Sequence, residues 1–193
     1  MANAPKPRAT IGDLARARDE GRAVELIDGE VVEKAAPTFE HGATQHKLGA
    51  VLDPFNRGAG GPRGPGGWWI ATEVDVLYPR SEDHYRHDAI GFRRDLHPTR
   101  PSGLPILLRP DWVCEILSSS TARNDLVKKQ RKLHFHRVPH YWLLDPEGEV
   151  LTVLRWSDAG YVQVLTATSG ERVRAEPFDA IEVAVGELFG HDE

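Results

Sequence analysis

The chain has 193 residues, 40% of them hydrophobic and 27% charged, which supports a packed core and excludes general disorder. Its formal net charge of −5 excludes a broad electrostatic grip on nucleic acid or anionic lipid, while leaving room for a compact acidic site or a local basic strip. The single cysteine, Cys114, excludes an internal disulfide and fits a reducing compartment.

The first residues have no apolar stretch of the signal-peptide kind, and no run approaches the roughly 20 apolar residues that cross a bilayer. A soluble, cytoplasmic protein is therefore expected, built as one domain over 1–193 with its core at about 22–168. Residues 1–9 read as a loose tail. Thr10 is placed to cap a helix over Ile11–Glu20, which Gly21 ends. Two strand-like pieces, Val24 to Glu33, flank Asp28-Gly29, a strong hairpin signal. Pro37 and Thr38 open a helix running to about Phe55, and Gly58 to Gly67 reads as a flexible loop.

Trp68 to Tyr78 alternates as a strand, and Asp88 to Phe92 makes a second, short one. Arg93 to Leu104 is irregular, and Asp111 to Leu117 reads as a central strand. The hydroxyls of Ser118 to Thr121 favour a helix start near Thr121, running to about His136 and broken by Pro139. Strands follow at Tyr141–Leu144, Val150–Trp156 and Tyr161–Thr166, the last two joined around Asp158–Gly160. A strand-like piece and a final helical turn close the chain between Phe178 and Phe189. The pattern is α/β, a central mixed β-sheet flanked by helices.

Glu115 is the most informative residue. It interrupts an otherwise apolar run from Trp112 to Leu117, and a buried carboxylate must be protonated, paired or bound to metal. Strand alternation puts Asp111, Val113, Glu115 and Leu117 on one face and Trp112, Cys114 and Ile116 on the other. In the helix that follows, Lys129 falls between Leu126 and Leu133 on the apolar stripe, aimed at the sheet. It could form a structural pair with Glu115 or serve as a catalytic cation. Asp88 opens the apolar Ala-Ile-Gly-Phe run and supplies a second carboxylate at a strand mouth. Two carboxylates and an inward lysine suit Mg²⁺ and a phosphate ester, since hard ions take oxygen ligands and a cation offsets phosphate charge.

Asp111 lies roughly 13 Å from Glu115 along an extended strand, too far to share one ion, and reads as a strand-entry acid that caps or pairs. The nine histidines lack the cysteine partners or spacing of a zinc site. Cys114 faces away from Glu115 and reads as core. Trp68, Trp69, Trp142 and Trp156 read as core or dimer contacts. Arg93, Arg94 and Arg100 could grip a phosphate backbone, as could Arg123 and Lys128 beside the site.

The phrases Glu25-Leu-Ile-Asp-Gly-Glu30, His87-Asp-Ala-Ile-Gly-Phe92, Pro110-Asp-Trp-Val-Cys-Glu-Ile-Leu-Ser-Ser-Ser-Thr121, Asp125-Leu-Val-Lys-Lys129 and Val138-Pro-His-Tyr-Trp-Leu-Leu-Asp-Pro146 carry a resemblance. Together they resemble the Uma-two family, a restriction-endonuclease-like branch of the PD-(D/E)XK nucleases, from residue 24 to about 165. The resemblance implies a restriction-endonuclease-like core and hydrolysis of DNA phosphodiester bonds with Mg²⁺ or Mn²⁺. By position it implies Asp88 and Glu115 as metal ligands. Leu117 stands where the motif keeps its lysine, so Lys129 takes that role from the next helix. Glu30 resembles a further family acid that assists at the metal, and His41 a recurrent histidine of unassigned role. His87 replaces a usual proline, with little consequence expected for metal binding, and Arg137 stands where a glycine is frequent. A homodimer is expected. The competing reading is a catalytically silent nuclease fold that acts as a binding or assembly module, its acids and Lys129 kept as a core ion pair.

Overall fold

A computed structural model describes residues 7–34, 36–59, 64–117 and 122–192, with side chains from 126 onward in the last stretch. Residues 1–6 of the tail, the centre of the Gly58–Gly67 loop, the Thr121 cap and the Arg123 side chain lie outside the described residues.

Helix α1 (Ile11–Asp19) begins as the sequence predicts. The Asp13 N–H donates to the Thr10 hydroxyl at 3.3 Å, and the Thr10 N–H donates to the Asp13 carboxylate at 2.9 Å. This reciprocal pair answers donors that the helix cannot satisfy itself. Leu14 and Ala17 lie on Val24 and Leu26 of strand β1 (Val24–Ile27). Asp28 and Gly29 take φ of 51° and 75° and turn the chain into β2 (Glu30–Glu33), with Ile27 opposite Glu30. Thr38 caps α2 (Phe39–Leu52), which tightens into a 3₁₀ turn at Asp53–Phe55. Pro54 has no N–H to continue the α pattern, so the helix stops short of the expected Phe55.

Strands β3 (Trp68–Tyr78) and β4 (Asp83–Arg93) form one long antiparallel ladder, from Trp68↔Arg93 to Tyr78↔Asp83. β4 starts at Asp83, five residues before the expected Asp88. Its polar first half belongs to the sheet because its charges are answered by neighbouring elements. Asp75 of β3 accepts from Arg18 of α1 at 2.8 Å and from Arg86 at 2.6 Å, with His84 Nε2 at 3.2 Å.

β5 (Trp112–Ile116) pairs antiparallel with β4 and parallel with β6 (His140–Asp145), and α3 (Ala122–Phe135) makes the crossover between them. β7 (Val150–Ser157) and β8 (Gly160–Thr168) continue the sheet as antiparallel neighbours. The order is β2-β1-β4-β5-β6-β7-β8, with β3 paired to β4 outside that path. A two-stranded sheet, β9 (Arg172–Val173) with β10 (Val183–Ala184), leads into α4 (Val185–Leu188).

The mixed sheet is packed on both faces. On one, Trp68, Ala89, Trp112, Cys114 and Trp142 meet Leu48 and Leu52 of α2 together with Phe178, Val185 and Leu188. On the other, Val76, Tyr85, Ile90, Val113 and Tyr141 meet Leu133 of α3. The core thus continues past the expected limit at 168: the Phe178 ring lies 5.0 Å from both Trp68 and Trp112. Trp68, Trp112 and Trp142 are buried and Trp69 and Trp156 half-buried, so of the two readings of the tryptophans the structure favours core and its margin. Among the described residues no helix is long and apolar enough to cross a membrane.

Candidate active site

Two irregularities in β4 create the site. On one edge β4 pairs with β1 near its start, Leu26↔His84, and with β5 near its end, Ala89↔Cys114 to Gly91↔Trp112. The sheet forks between these contacts. On the other edge, pairing with β3 skips Glu73 and Asp88, and Glu73 takes a left-handed φ of 52°. Both strands exchange faces at that rung. Trp68 and Ile70 pack on the α2 side, whereas Val74, Val76 and Tyr78 pack on the α3 side, and in β4 Tyr85 and Ile90 share the α3 side despite opposite parity. His87 turns to the α3 side and Asp88 toward α2, as strand alternation dictates, and the exchange keeps the next residue, Ala89, on the α2 side with Asp88.

Backbone donors left open by the fork are answered by carboxylates. Ile116 N–H donates to Asp88 Oδ2 at 2.7 Å, and Arg86 N–H donates to Glu25 Oε1 at 2.8 Å. Such groups are rarely left unpaired when buried, so the fork requires acceptors at these two points.

Around Asp88, Lys34 Nζ lies 3.0 Å and His41 Nε2 3.5 Å from Oδ1. Gln45, one turn after His41 on α2, donates to the Asp88 carbonyl at 2.8 Å and to Glu73 at 3.1 Å. Burial pushes the Asp88 carboxyl up, but His41, Lys34 and the Ile116 N–H outweigh it and hold the group well below the usual range. The ligand atoms of His41, Glu73 and Asp88 all lie within 4.8 Å of one another. Among the described residues His41 Nδ1 is buried without a hydrogen-bond partner. Two carboxylates and an imidazole make a donor set that fits Mg²⁺ through oxygen and Mn²⁺ through both donor types.

Beneath α3, Lys129 Nζ lies 2.8 Å from Glu25 Oε2 and 3.2 Å from Glu115 Oε2, while His87 Nδ1 lies 2.6 Å from Glu115 Oε1. His87 Nε2 is in turn 3.0 Å from the Tyr78 hydroxyl. Burial and the nearby Asp88 charge raise the Glu115 carboxyl, but the Lys129 ammonium and the His87 contact together outweigh them and the net shift is downward. For Lys129, burial lowers the amine while Glu115 and Glu25 drive it well above the ordinary lysine value. The pair is therefore ionised throughout the neutral range.

Glu115 and Lys129 meet beneath α3, and Asp88 stands on the α2 side of the fork, near enough to act on both electrostatically. Glu115, expected to ligate metal beside Asp88, directs its two oxygens to His87 and Lys129, and the residues nearest Asp88 are His41 and Glu73. Glu30 differs from expectation: it is exposed at the hairpin end with Lys128 Nζ at 2.8 Å, and the hairpin acid that reaches the site is Glu25. Only one parity of β1 faces α3, and Glu30 falls beyond the turn.

The nucleic-acid contacts expected of the arginines are also displaced. Arg93 pairs with Asp95 at 2.5 Å, and Arg94 stacks 3.4 Å from the Trp69 ring centre. They stand at and just past the far end of β4, about 16–20 Å along the chain from Asp88. Asp111 accepts from Arg93 N–H at 2.9 Å, the capping role foreseen for it. Lys34, Glu73, Glu25 and the His87 contact were missed. For Glu25 the signal was available, an acid within the apolar Val-Glu-Leu-Ile run. For Glu73 it was not, because the face exchange depends on pairing with β4.

The Uma2 (Uma-two) family model, described as "Putative restriction endonuclease", matches residues 11–186. Among solved structures the chain is similar to a protein from Anabaena variabilis ATCC 29413 titled "a putative nuclease belonging to DUF820". The two are 20% identical, the match covers 93% of this chain and 97% of the other, and the TM-score is 0.71, which places them in one fold. No curated protein matches the chain.

Proposed function

The chain belongs to the Uma2 family, and from that premise we propose that it is a divalent-metal-dependent endonuclease that hydrolyses DNA phosphodiester bonds at the fork between β4 and β5. The observation that carries this reading is a charge imbalance. Among the described residues, Glu25, Glu73, Asp88 and Glu115 pair with two ammonium groups, Lys34 and Lys129, which leaves a formal −2 in this group with the imidazoles counted as neutral and Arg86 assigned to its partner Asp75. One divalent cation would balance it. The DNA substrate is taken from the family description.

Asp88, with Glu73 and His41 or with Glu115, would hold the ion, which supplies Lewis-acid polarisation of a phosphoryl oxygen when bound. The remaining chemistry belongs to the chain. Lys129 is held charged, so it cannot accept a proton from water near neutrality; it contributes positive charge against developing phosphate charge. Glu115 stays ionised beside it and keeps lone pairs free to orient a water. His87 fixes the Glu115 carboxylate through one oxygen, and Glu25 holds Lys129 from the opposite side.

A supercoiled plasmid incubated with protein and Mn²⁺ or Mg²⁺ tests the reading. Nicking should appear with metal, vanish with chelator, and fall by at least about 10²-fold in Asp88→Asn, Glu115→Gln and Lys129→Met. Full activity in any of the three, with the fold intact by circular dichroism, would remove this mechanism. A silent assembly module is the second reading, favoured by the fact that Lys34 and Lys129 already give the buried acids cationic partners. It predicts no metal-dependent cleavage and no carboxylate-dependent uptake of Mn²⁺.

A further inference from the structure

Lys34 follows the last residue of β2, and its backbone N–H continues the hairpin by donating to the Ala23 carbonyl at 2.8 Å. Its side chain then turns inward. The ammonium stands among three oxygens: Arg86 O at 2.9 Å, Asp88 Oδ1 at 3.0 Å and Glu73 Oε2 at 3.4 Å. An ammonium has three N–H donors, so this cage uses them all. Two of the oxygens belong to the carboxylates that, with His41, form the candidate metal cluster. The third is a backbone carbonyl, also a hard-ion donor.

We propose that Lys34 is a tethered counter-cation that fills the place of the divalent ion in the metal-free protein, so that ion entry and Lys34 docking exclude each other. The inference rests on the metal-dependent reading above and adds to it a residue that sets metal affinity. An ammonium 3.0 Å from Asp88 Oδ1 cannot remain there beside a divalent ion on the same oxygen, because the like charges would lie within one atomic contact. Exchange is also what the charges favour. Asp88 and Glu73 together carry −2, which one ammonium half answers and one divalent ion answers fully. The exit is open, since the Lys34 side chain is 21% exposed and that of Glu73 is 46% exposed. The four-carbon stem of lysine lets Nζ swing out without backbone movement.

Neither the hairpin nor the sheet needs Lys34 as a cation. Glu33 is paired with Arg22 on the outer surface, and the Arg86 N–H is already answered by Glu25. The charge is directed at the acids of the fork, Asp88 and Glu73 in direct contact and Glu115 at longer range.

Mn²⁺ binding measured calorimetrically on the wild type, Lys34→Met, Lys34→Gln and Asp88→Asn tests the proposal. Removing the tethered charge should tighten Mn²⁺ at least about tenfold in both Lys34 variants, since a nearby unit charge is worth that much or more at partly buried sites. The metal-free Lys34 variants should melt lower than wild type, and saturating Mn²⁺ should raise their Tm by more than it raises that of wild type. Unchanged or weaker Mn²⁺ affinity in Lys34→Met and Lys34→Gln, with binding still abolished in Asp88→Asn, overturns the Lys34 proposal and leaves the metal site standing. Absence of Mn²⁺ binding in wild type and both Lys34 variants overturns the proposal and the metal-dependent reading together.

Discussion

Replacing Lys129 with methionine removes the ammonium that stands between Glu25 and Glu115 while keeping most of the side-chain volume. Lys129 is 7% exposed, Glu25 4% and Glu115 6%, so neither acid can turn to solvent without moving α3 or the β1–β2 hairpin. Breaking a buried pair from one side costs about 3–5 kcal/mol, most of it the uncompensated charge left behind. At about 2–4 °C per kcal/mol for a domain of this size, Tm should fall by roughly 6–20 °C.

The pH dependence gives a sharper sign. In the wild type the Glu115 carboxyl is held low, because Lys129 and His87 together outweigh the upward push of burial. Its ionised form therefore contributes stability above the ordinary carboxylate pKa, and this is lost as pH falls through the lower folded value. In Lys129→Met burial and the neighbouring acids remain, so the folded pKa moves above the ordinary value. Stability from that group is then fully present below the ordinary pKa and lost as pH rises through the raised one. Thermal unfolding followed by circular dichroism between about pH 5 and pH 8 should show the variant gaining stability on acidification, relative to wild type. Lys129→Met/Glu115→Gln should recover part of the loss, since the coupled charge is gone. A Tm change below about 2 °C, or parallel pH profiles in the two proteins, would refute the view that this lysine neutralises the buried acids.

Three further outcomes follow from particular contacts. The carboxyls of Asp75, Asp83 and Asp88 are raised by burial but held low overall by their partners, Asp75 by His84, Arg86 and Arg18. Their stabilisation is present above the ordinary aspartate pKa and lost as pH falls through the depressed values, so denaturant titrations should show a steep loss below about pH 4. A Cβ at Gly91 would meet Trp68 Cε3 at 3.1 Å and Trp112 Cε3 at 3.2 Å, two buried rings that cannot both retreat. Gly91→Ala should cost about 1–3 kcal/mol in urea unfolding. Arg93→Ala should change stability by no more than about 0.5 kcal/mol, because the Arg93–Asp95 pair is exposed, and should leave DNA affinity in a gel-shift titration unchanged.

The strands of the candidate site are legible where one segment decides its own environment. Glu115 inside Trp-Val-Cys-Glu-Ile announced a buried charge, and the apolar stripe of α3 pointed Lys129 at it. The hairpin at Asp28-Gly29 and the Thr10 cap are likewise local. What escaped notice depends on two segments at once. The first half of β4 reads as a loop because Asp83, His84 and Arg86 are polar, and partners from other elements, among them Arg18, Asp75, Asp28, Lys132 and His136, make them tolerable in a sheet. Alternation assigned one face to each parity of β3, and the left-handed turn of Glu73 undid that assignment halfway along. Glu30 was chosen over Glu25 by likeness of position, although Glu25 had the apolar neighbours that mark an inward residue.

The fork explains why the proposed function and stability meet at Asp88, and it lets them be separated. Asp88 does two jobs with different oxygens: Oδ1 faces Lys34 and His41, while Oδ2 accepts the Ile116 N–H that no neighbouring strand answers. Asp88→Asn and Asp88→Ala both delete the charge and should both abolish metal-dependent cleavage. They should not be equally stable. Asparagine keeps a carbonyl oxygen for Ile116, whereas alanine leaves that buried N–H without an acceptor, a penalty of about 1–3 kcal/mol. The two variants compared by urea unfolding at neutral pH should differ by that amount, with Asp88→Asn the more stable. Equal stability would mean that the β5 end finds another acceptor, and that Asp88 is held in the fork by its charge alone.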